Sequence, residues 1–350
     1  MPPDQAAPID PAPIDPPLLD PVLRPIGQAR TLPGTAYASA EVFDWERRHF
    51  VDGSWVCVGR AADVAAVGDQ RAVPVGTTSI LLVRDVSGVL RGFFNACRHR
   101  GHELLEPGGR RRGRGIKCPY HGWVYGLGGE CRATPRFDKA GDPAGTGLDL
   151  DEFPLVPARV AEWHGWVFAN VSGNAPPLAE HVGNLDVAVA DYQPERLVTG
   201  ASHSYEMAAN WKIVIENYLE CYHCASIHPE LCAVTPPDSG RGYPVEPVGA
   251  WVGGPLRLAA HAETMSLTGA GLGVPIPSVP EARRREVGYA ALLPNLLVSP
   301  HPDYLMTHRL ELLAHDRTRV ECCWYFPPGA AGRWGQSTSA STSSETSKFA

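Results

Sequence analysis

The chain has 350 residues, 44% of them hydrophobic and 20% charged, with a net charge of −7. That is enough apolar side chain for about two domains with cores of their own, and the acidic balance argues against a general nucleic-acid binder. The apolar runs, such as Ile80-Leu81-Leu82-Val83, fall short of the ~18 residues of a membrane helix, so neither nucleic acid nor membrane is an expected partner. Ten prolines fall within the first 33 residues. Their fixed φ angles and missing N–H donors build neither helix nor inner strand, so residues 1–35 read as a disordered tail and 36–53 as a segment packing on the later domain. From 54 to 172, short runs of β-branched and aromatic residues at 54–58, 78–83, 89–95, 123–125 and 159–171 alternate with Gly-rich turns. This pattern predicts a compact antiparallel β domain. From 173 to 330 the pattern is α+β: a helix over 210–223, strands at 289–293, 304–313 and 318–326, and a long loop over 264–280 that covers a pocket. Residues 331–350 hold a Ser/Thr tract with nothing apolar to bury and read as a second disordered tail. Nine cysteines without an even framework, and no basic-then-apolar leader in the first thirty residues, predict thiols or metal ligands in a reducing, cytoplasmic protein.

Two constellations carry chemistry. The first is Cys97-Arg98-His99 followed by Cys118-Pro119-Tyr120-His121. A zinc finger groups its cysteines as one pair and its histidines as another, whereas here each half offers one thiolate and one imidazole. That suits a [2Fe-2S] cluster of the Rieske arrangement, with two cysteines on one iron and two histidines on the other. A structural zinc site and chance packing are the blander alternatives. Gly101 and Gly122 supply the tight backbone such loops need. The second constellation runs from Glu216 through Glu220 and His223 to His228-Pro229. On a helix Glu220 and His223 share a face; His228 is five residues on, so the helix must loosen or end near Ser226. Two histidines and a carboxylate are the donor set of a non-haem Fe(II) site, though histidines on a half-buried helix are as often only packed and hydrogen-bonded. Cys221 and Cys224 form a C-x-x-C on the same predicted helix, away from any βαβ pattern, which argues against a redox disulfide.

With Cys97-Arg98-His99-Arg100-Gly101, Cys118-Pro119-Tyr120-His121-Gly122-Trp123 and Asn210-Trp211-Lys212 leading into Glu216-Asn217-Tyr218 in this order, the chain resembles the catalytic α subunits of the Rieske non-haem iron oxygenases, the aromatic ring-hydroxylating family. The resemblance implies an N-terminal Rieske domain and a catalytic domain with a helix-grip-like sheet. Cys97 and Cys118 would hold one iron of the cluster and His99 and His121 the other, while His223 and His228 would hold a mononuclear Fe(II). Glu220 would bridge His223 to His121 of the partner subunit in a head-to-tail ring, commonly a trimer. Electrons would come from an NAD(P)H-dependent reductase, with or without a ferredoxin, to activate O2 against a small-molecule substrate. Arg110-Arg111-Arg112-Gly113-Arg114 offers a docking patch for an acidic donor, or simply a solvated loop.

The family's third iron ligand is a carboxylate on a long helix after the final strands. No Asp-Trp pair or amphipathic helix follows Phe326, so the expectation is a C-terminal helix missing through truncation or a frame shift. Asp303, Glu311, Asp316 and Glu321 match no family position. The Glu216–Cys224 segment resembles the branch acting on quaternary ammonium compounds of the glycine betaine type, which implies N-demethylation, with Trp251, Tyr243 and Tyr289 as contributors to an aromatic cage. The alternatives are aromatic-ring dihydroxylation, an inactive truncated electron-transfer protein, and a zinc module.

Overall fold

The computed structural model describes residues 10–25, 27–135, 137, 147–240, 246–271 and 274–330. The chain divides into two units, residues 51–175 and residues 176–350 together with 1–50.

Among the described residues the 51–175 unit holds ten strands: β1 (Val56–Arg60), β2 (Asp69–Val75), β3 (Thr78–Arg84), β4 (Leu90–Phe94), β5 (Arg110–Arg112), β6 (Ile116–Lys117), β7 (Val124–Tyr125), β8 (Cys131–Ala133), β9 (Arg159–Trp163) and β10 (Trp166–Asn170). They form three antiparallel sheets, ordered β4-β3-β2-β5, β1-β10-β9 and β6-β7-β8. Leu81, Val83, Phe93, Leu104, Ile116, Trp123, Tyr125, Leu127 and Leu155 make one buried cluster, and Cys97 and Cys118 belong to it. The run 159–171 is two strands, not one. His164 (φ 45) and Gly165 (φ 79) take the two left-handed positions of a hairpin turn between β9 and β10, and a histidine in the first of them gives no turn signal in sequence.

The second unit is built from the short helices α1 (Thr35–Ala38), α2 (Ala40–Glu46), α3 (Leu178–Val182) and α4 (Leu185–Ala190), then α5 (Trp211–Leu219), α6 (Cys224–Ile227) and α7 (Pro229–Val234). Its strands are β11 (Val198–Met207), β12 (Trp251–Arg257), β13 (Glu286–Leu292), β14 (Leu296–Pro300), β15 (Leu305–Ala314) and β16 (Arg317–Phe326). They pair as one antiparallel sheet in the order β11-β16-β15-β14-β13-β12. Trp211, Val214 and Ile215, three and four residues apart on α5, pack onto Ala291, Leu297, Leu310, Val320 and Trp324 of the sheet. Asn210 caps the helix, its side chain accepting from Lys212 N at 3.0 Å. The N-terminal segment holds the same end of α5: Glu46 is buried, takes Lys212 Nζ at 2.7 Å and accepts from Trp211 Nε1 at 2.9 Å.

Within the expected 1–35 tail, the described residues are turned back and not open. Pro16–Leu18 is a 3-10 turn, and Trp45 Nε1 donates to the Asp10 carbonyl at 2.7 Å, since proline's fixed φ serves turns as readily as extended chain. Residues 1–9 and the Ser/Thr tail 331–350 lie outside the described residues. Among the described residues no helix is long and apolar enough to cross a membrane.

Candidate functional site

The loops carrying Cys97 and Cys118 have the same backbone. In each, the cysteine N–H donates to the carbonyl five residues on (His102, 2.9 Å; Trp123, 2.8 Å), and a glycine N–H returns to the cysteine carbonyl (Gly101, 2.8 Å; Gly122, 3.2 Å). Both glycines are left-handed, at φ 71 and 76, where a side chain would strain the turn. The cysteines are 4% and 1% exposed, with their thiols in direct interaction. The rings of His99 and His121 sit 4.6 Å apart between centroids, and His99 stacks on Trp123 at 5.1 Å. All four predicted side chains therefore converge, sulfurs in the core and imidazoles toward the surface. Burial raises the Cys97 thiol and lowers His99, whose neighbours His121 and Arg100 add to the fall. Sequence reading passed over Tyr125, whose hydroxyl lies 3.2 Å from Cys97 Sγ and accepts from Arg98 N at 3.0 Å. Its only signal was an aromatic two residues after Trp123.

The second group sits where α5 stops. The predicted helix over 210–223 ends at Leu219, and Glu220 is extended (φ −104, ψ 140). The Glu220 carboxylate satisfies the freed backbone itself, accepting from Tyr222 N at 2.7 Å and His223 N at 3.3 Å, and it also bonds His223 Nδ1. Glu220 and His223 thus meet through a turn and not along a helix face. Burial pushes the Glu220 carboxyl up, but these bonds outweigh it and hold it below its ordinary value. A second break at His228, between α6 and α7, answers the awkward five-residue spacing. It leaves the His223 and His228 rings 5.4 Å apart and nearly perpendicular, with His228 buried. With Nδ1 committed to Glu220, His223 offers Nε2.

Beside this turn lies a cavity of ≈ 380 Å³ lined by Leu219, Cys221, Pro237, Val252, Leu256 and Tyr289, among others. Of the proposed cage residues, Tyr289 reaches it and stands edge-on to Tyr218 at 5.5 Å. Trp251 does not; it is buried with Nε1 donating to Asn184 Oδ1 at 2.9 Å. Tyr243 lies outside the described residues. Tyr218, read from sequence as helix packing, packs against the sheet core as expected.

Residues 54–154 match the Rieske [2Fe-2S] domain and residues 194–349 the ring hydroxylating alpha subunit catalytic domain. The chain joins a Rieske domain to a ring-hydroxylating alpha subunit catalytic domain. It is 35% identical over 204 residues to the carnitine monooxygenase oxygenase subunit of Escherichia coli strain K12, a match covering 58% of this chain and 53% of that protein. It is 34% identical over 224 residues to the glycine betaine monooxygenase oxygenase subunit of Chromohalobacter salexigens, covering 63% and 48%. The chain thus spans about half the length of the curated relatives it matches. Its fold is that of the quaternary ammonium Rieske monooxygenase CntA in complex with L-carnitine (TM-score 0.71, 23% identity, 92% of this chain and 83% of that one). Naphthalene 1,2-dioxygenase from Rhodococcus sp. shares it (TM-score 0.71, 22% identity, 88% and 77%).

The Rieske domain implies a [2Fe-2S] cluster and the catalytic domain a mononuclear iron. The residues fit the first. His99 Nδ1 is buried without a hydrogen-bond partner, a costly state unless it faces a ligand. Two thiols and two imidazoles match a cluster in which each iron takes two side chains. At the second site, no group of three His, Cys, Asp or Glu able to hold one ion occurs among the described residues. Three of the four carboxylates weighed above are engaged elsewhere, Glu311 with Arg319 and Glu321 with Arg309, each at 2.8 Å, and Asp303 with the Thr264 hydroxyl at 2.5 Å, while Asp316 stands 4.0 Å from His315 Nε2. The arginine patch is a strand, β5, in which Arg110 pairs with Asp63, Arg112 with Asp69, and Arg111 with the Gln70 amide. It carries less unpaired charge than its sequence suggests.

Proposed function

We propose that the chain is the oxygenase component of a multicomponent Rieske oxygenase that uses O2 and NAD(P)H-derived electrons to oxidise a quaternary ammonium compound. The observation that carries this reading is the presence in one chain of a converged Cys97/His99/Cys118/His121 set and of a His223/His228 pair oriented by Glu220. The relatives named for carnitine and glycine betaine support the substrate class, as does Tyr289 on the cavity wall, an aromatic of the kind that suits a trimethylammonium group.

When bound, the cluster supplies single electrons and the mononuclear iron supplies O2 activation. The protein's part is to hold and orient. Cys97 and Cys118, buried in the core, would hold one iron of the cluster, and the Tyr125 hydroxyl steadies the Cys97 sulfur. His99 and His121, nearer the surface, would hold the other. Glu220 takes the proton-bearing Nδ1 of His223, fixing the tautomer that presents Nε2, and His228 presents its ring from the α6–α7 junction. His121 and Glu220 are both exposed, which suits a bond from Glu220 to His121 of the partner subunit in a homotrimer. The electron donor in this reading is a separate NAD(P)H-dependent reductase, with or without a ferredoxin. Nine free cysteines suit a reducing cytoplasm.

The test is substrate-dependent O2 uptake with a surrogate reductase across carnitine, glycine betaine and simple arenes. Uptake with a betaine, accompanied by release of a demethylated amine or of trimethylamine, supports the reading. Uptake only with arenes overturns the substrate class.

A further inference from the structure

Sequence placed Cys221 and Cys224 on one continuous helix, where a disulfide is unfavourable. The structure removes that helix. Cys224 N donates to Cys221 O at 3.1 Å, closing a four-residue turn, and Cys224 then opens α6. Such a turn brings its end Cα atoms within about 7 Å, close to the roughly 4.4–6.8 Å that a disulfide spans. Each thiol lies within electrostatic range of the other, and Cys232 within range of both. Both cysteines are half-buried and free, and Cys221 lines the cavity, so a small oxidant can reach the pair. The turn encloses only Tyr222 and His223, and Cys224 Sγ lies 3.8 Å from His223 Nε2.

We propose that Cys221 and Cys224 form a reversible thiol pair that hydrogen peroxide closes into a disulfide, and that closure withdraws His223 from metal binding. One thiol, Cys221 on the cavity side, attacks a peroxide oxygen; the O–O bond breaks, water leaves and a sulfenic acid remains. The Cys224 sulfur then displaces water from that sulfenic acid. Two S–H bonds and one O–O bond are exchanged for one S–S bond and two waters, with two electrons passing from the sulfurs to peroxide. Cys224 Sγ sits beside His223 Nε2, so the covalent loop that pins this sulfur also fixes the turn that carries His223.

The closure stands on the turn geometry; its effect on metal rests on the reading of His223 as a ligand. The experiment treats the full chain with hydrogen peroxide, alkylates it, and maps its peptides by mass. In parallel it measures Co2+ binding, with the Rieske absorbance as the control for folding. The expected result is a Cys221–Cys224 peptide lighter by two hydrogens and restored by dithiothreitol, with Cys232 still alkylated. Co2+ binding should be weakened about 10-fold in the oxidised form. Cys221→Ser and Cys224→Ser should each abolish both changes. Full alkylation of both thiols after peroxide, or pairing of either with Cys232, overturns the proposal; closure with unchanged Co2+ binding overturns its link to His223. A reduced protein that binds no Co2+ while the mass change persists marks failure of the metal-site reading and leaves the thiol pair standing.

Discussion

The two centres are built on opposite plans. At the first, two loops of identical backbone turn their sulfurs into a packed core, where Trp123 and Tyr125 are almost wholly buried. At the second, a helix is cut short so that a partly exposed carboxylate, Glu220, can cap the broken end and aim an imidazole. The first is prepared by folding alone. The second depends on a few hydrogen bonds at a helix terminus, and so is the more open to change by solvent, partner or redox state.

The largest effects should come from separating the two. Cys118→Ser should abolish the cluster, read as lost visible absorbance and acid-labile sulfide, while His228→Ala should leave that absorbance intact and lower only the non-sulfide iron. Loss of both signals from either variant would show that the centres do not assemble independently. Glu220→Gln keeps the shape and removes the charge that orients His223; activity with a reductase should fall roughly 10–100-fold, with the Rieske spectrum unaltered.

Acid should also loosen the catalytic domain. His308 on β15 and His301 just after β14 are buried, and burial lowers them to about 4 and about 3. In the unfolded chain they titrate near 6.5, so the unfolded state binds their protons first as pH falls. Their stability contribution is complete above about pH 6.5. Below it the loss is about 1.4 kcal/mol per pH unit for each histidine until the folded values are reached. A thermal-unfolding midpoint unchanged between pH 7.5 and 5 would refute this. The smallest effect is expected of Tyr125→Phe, which removes one donor to the Cys97 sulfur; the cluster potential should move down while its spectrum persists, as a redox titration would show.

Much of the first centre was legible because its four predicted side chains lie in two short, self-contained loops whose glycines mark the turns. The second was legible in composition but not in shape. Periodicity carries Trp211 through Tyr222 as one helix, and nothing in the spacing says that Glu220 would leave the helix to cap it. Among strands, β13, β15 and β16 showed themselves by alternation. The edge strand β11 escaped because its residues are mostly exposed and rich in Ser, Thr and Gly. The opposite edge, β12, contains Gly253-Gly254-Pro255, a breaker in sequence that an edge tolerates because one side needs no partner. β14 is buried on both faces and shows no alternation at all.

The clasp of Glu46 on Trp211 and Lys212 joins parts of one unit separated in sequence by the whole of the other. During synthesis, residues 51–175 emerge as an uninterrupted stretch and can complete their sheets, whereas α2 must wait for α5 to leave the ribosome before it has anything to grip. Birth order therefore favours the Rieske domain over the catalytic one.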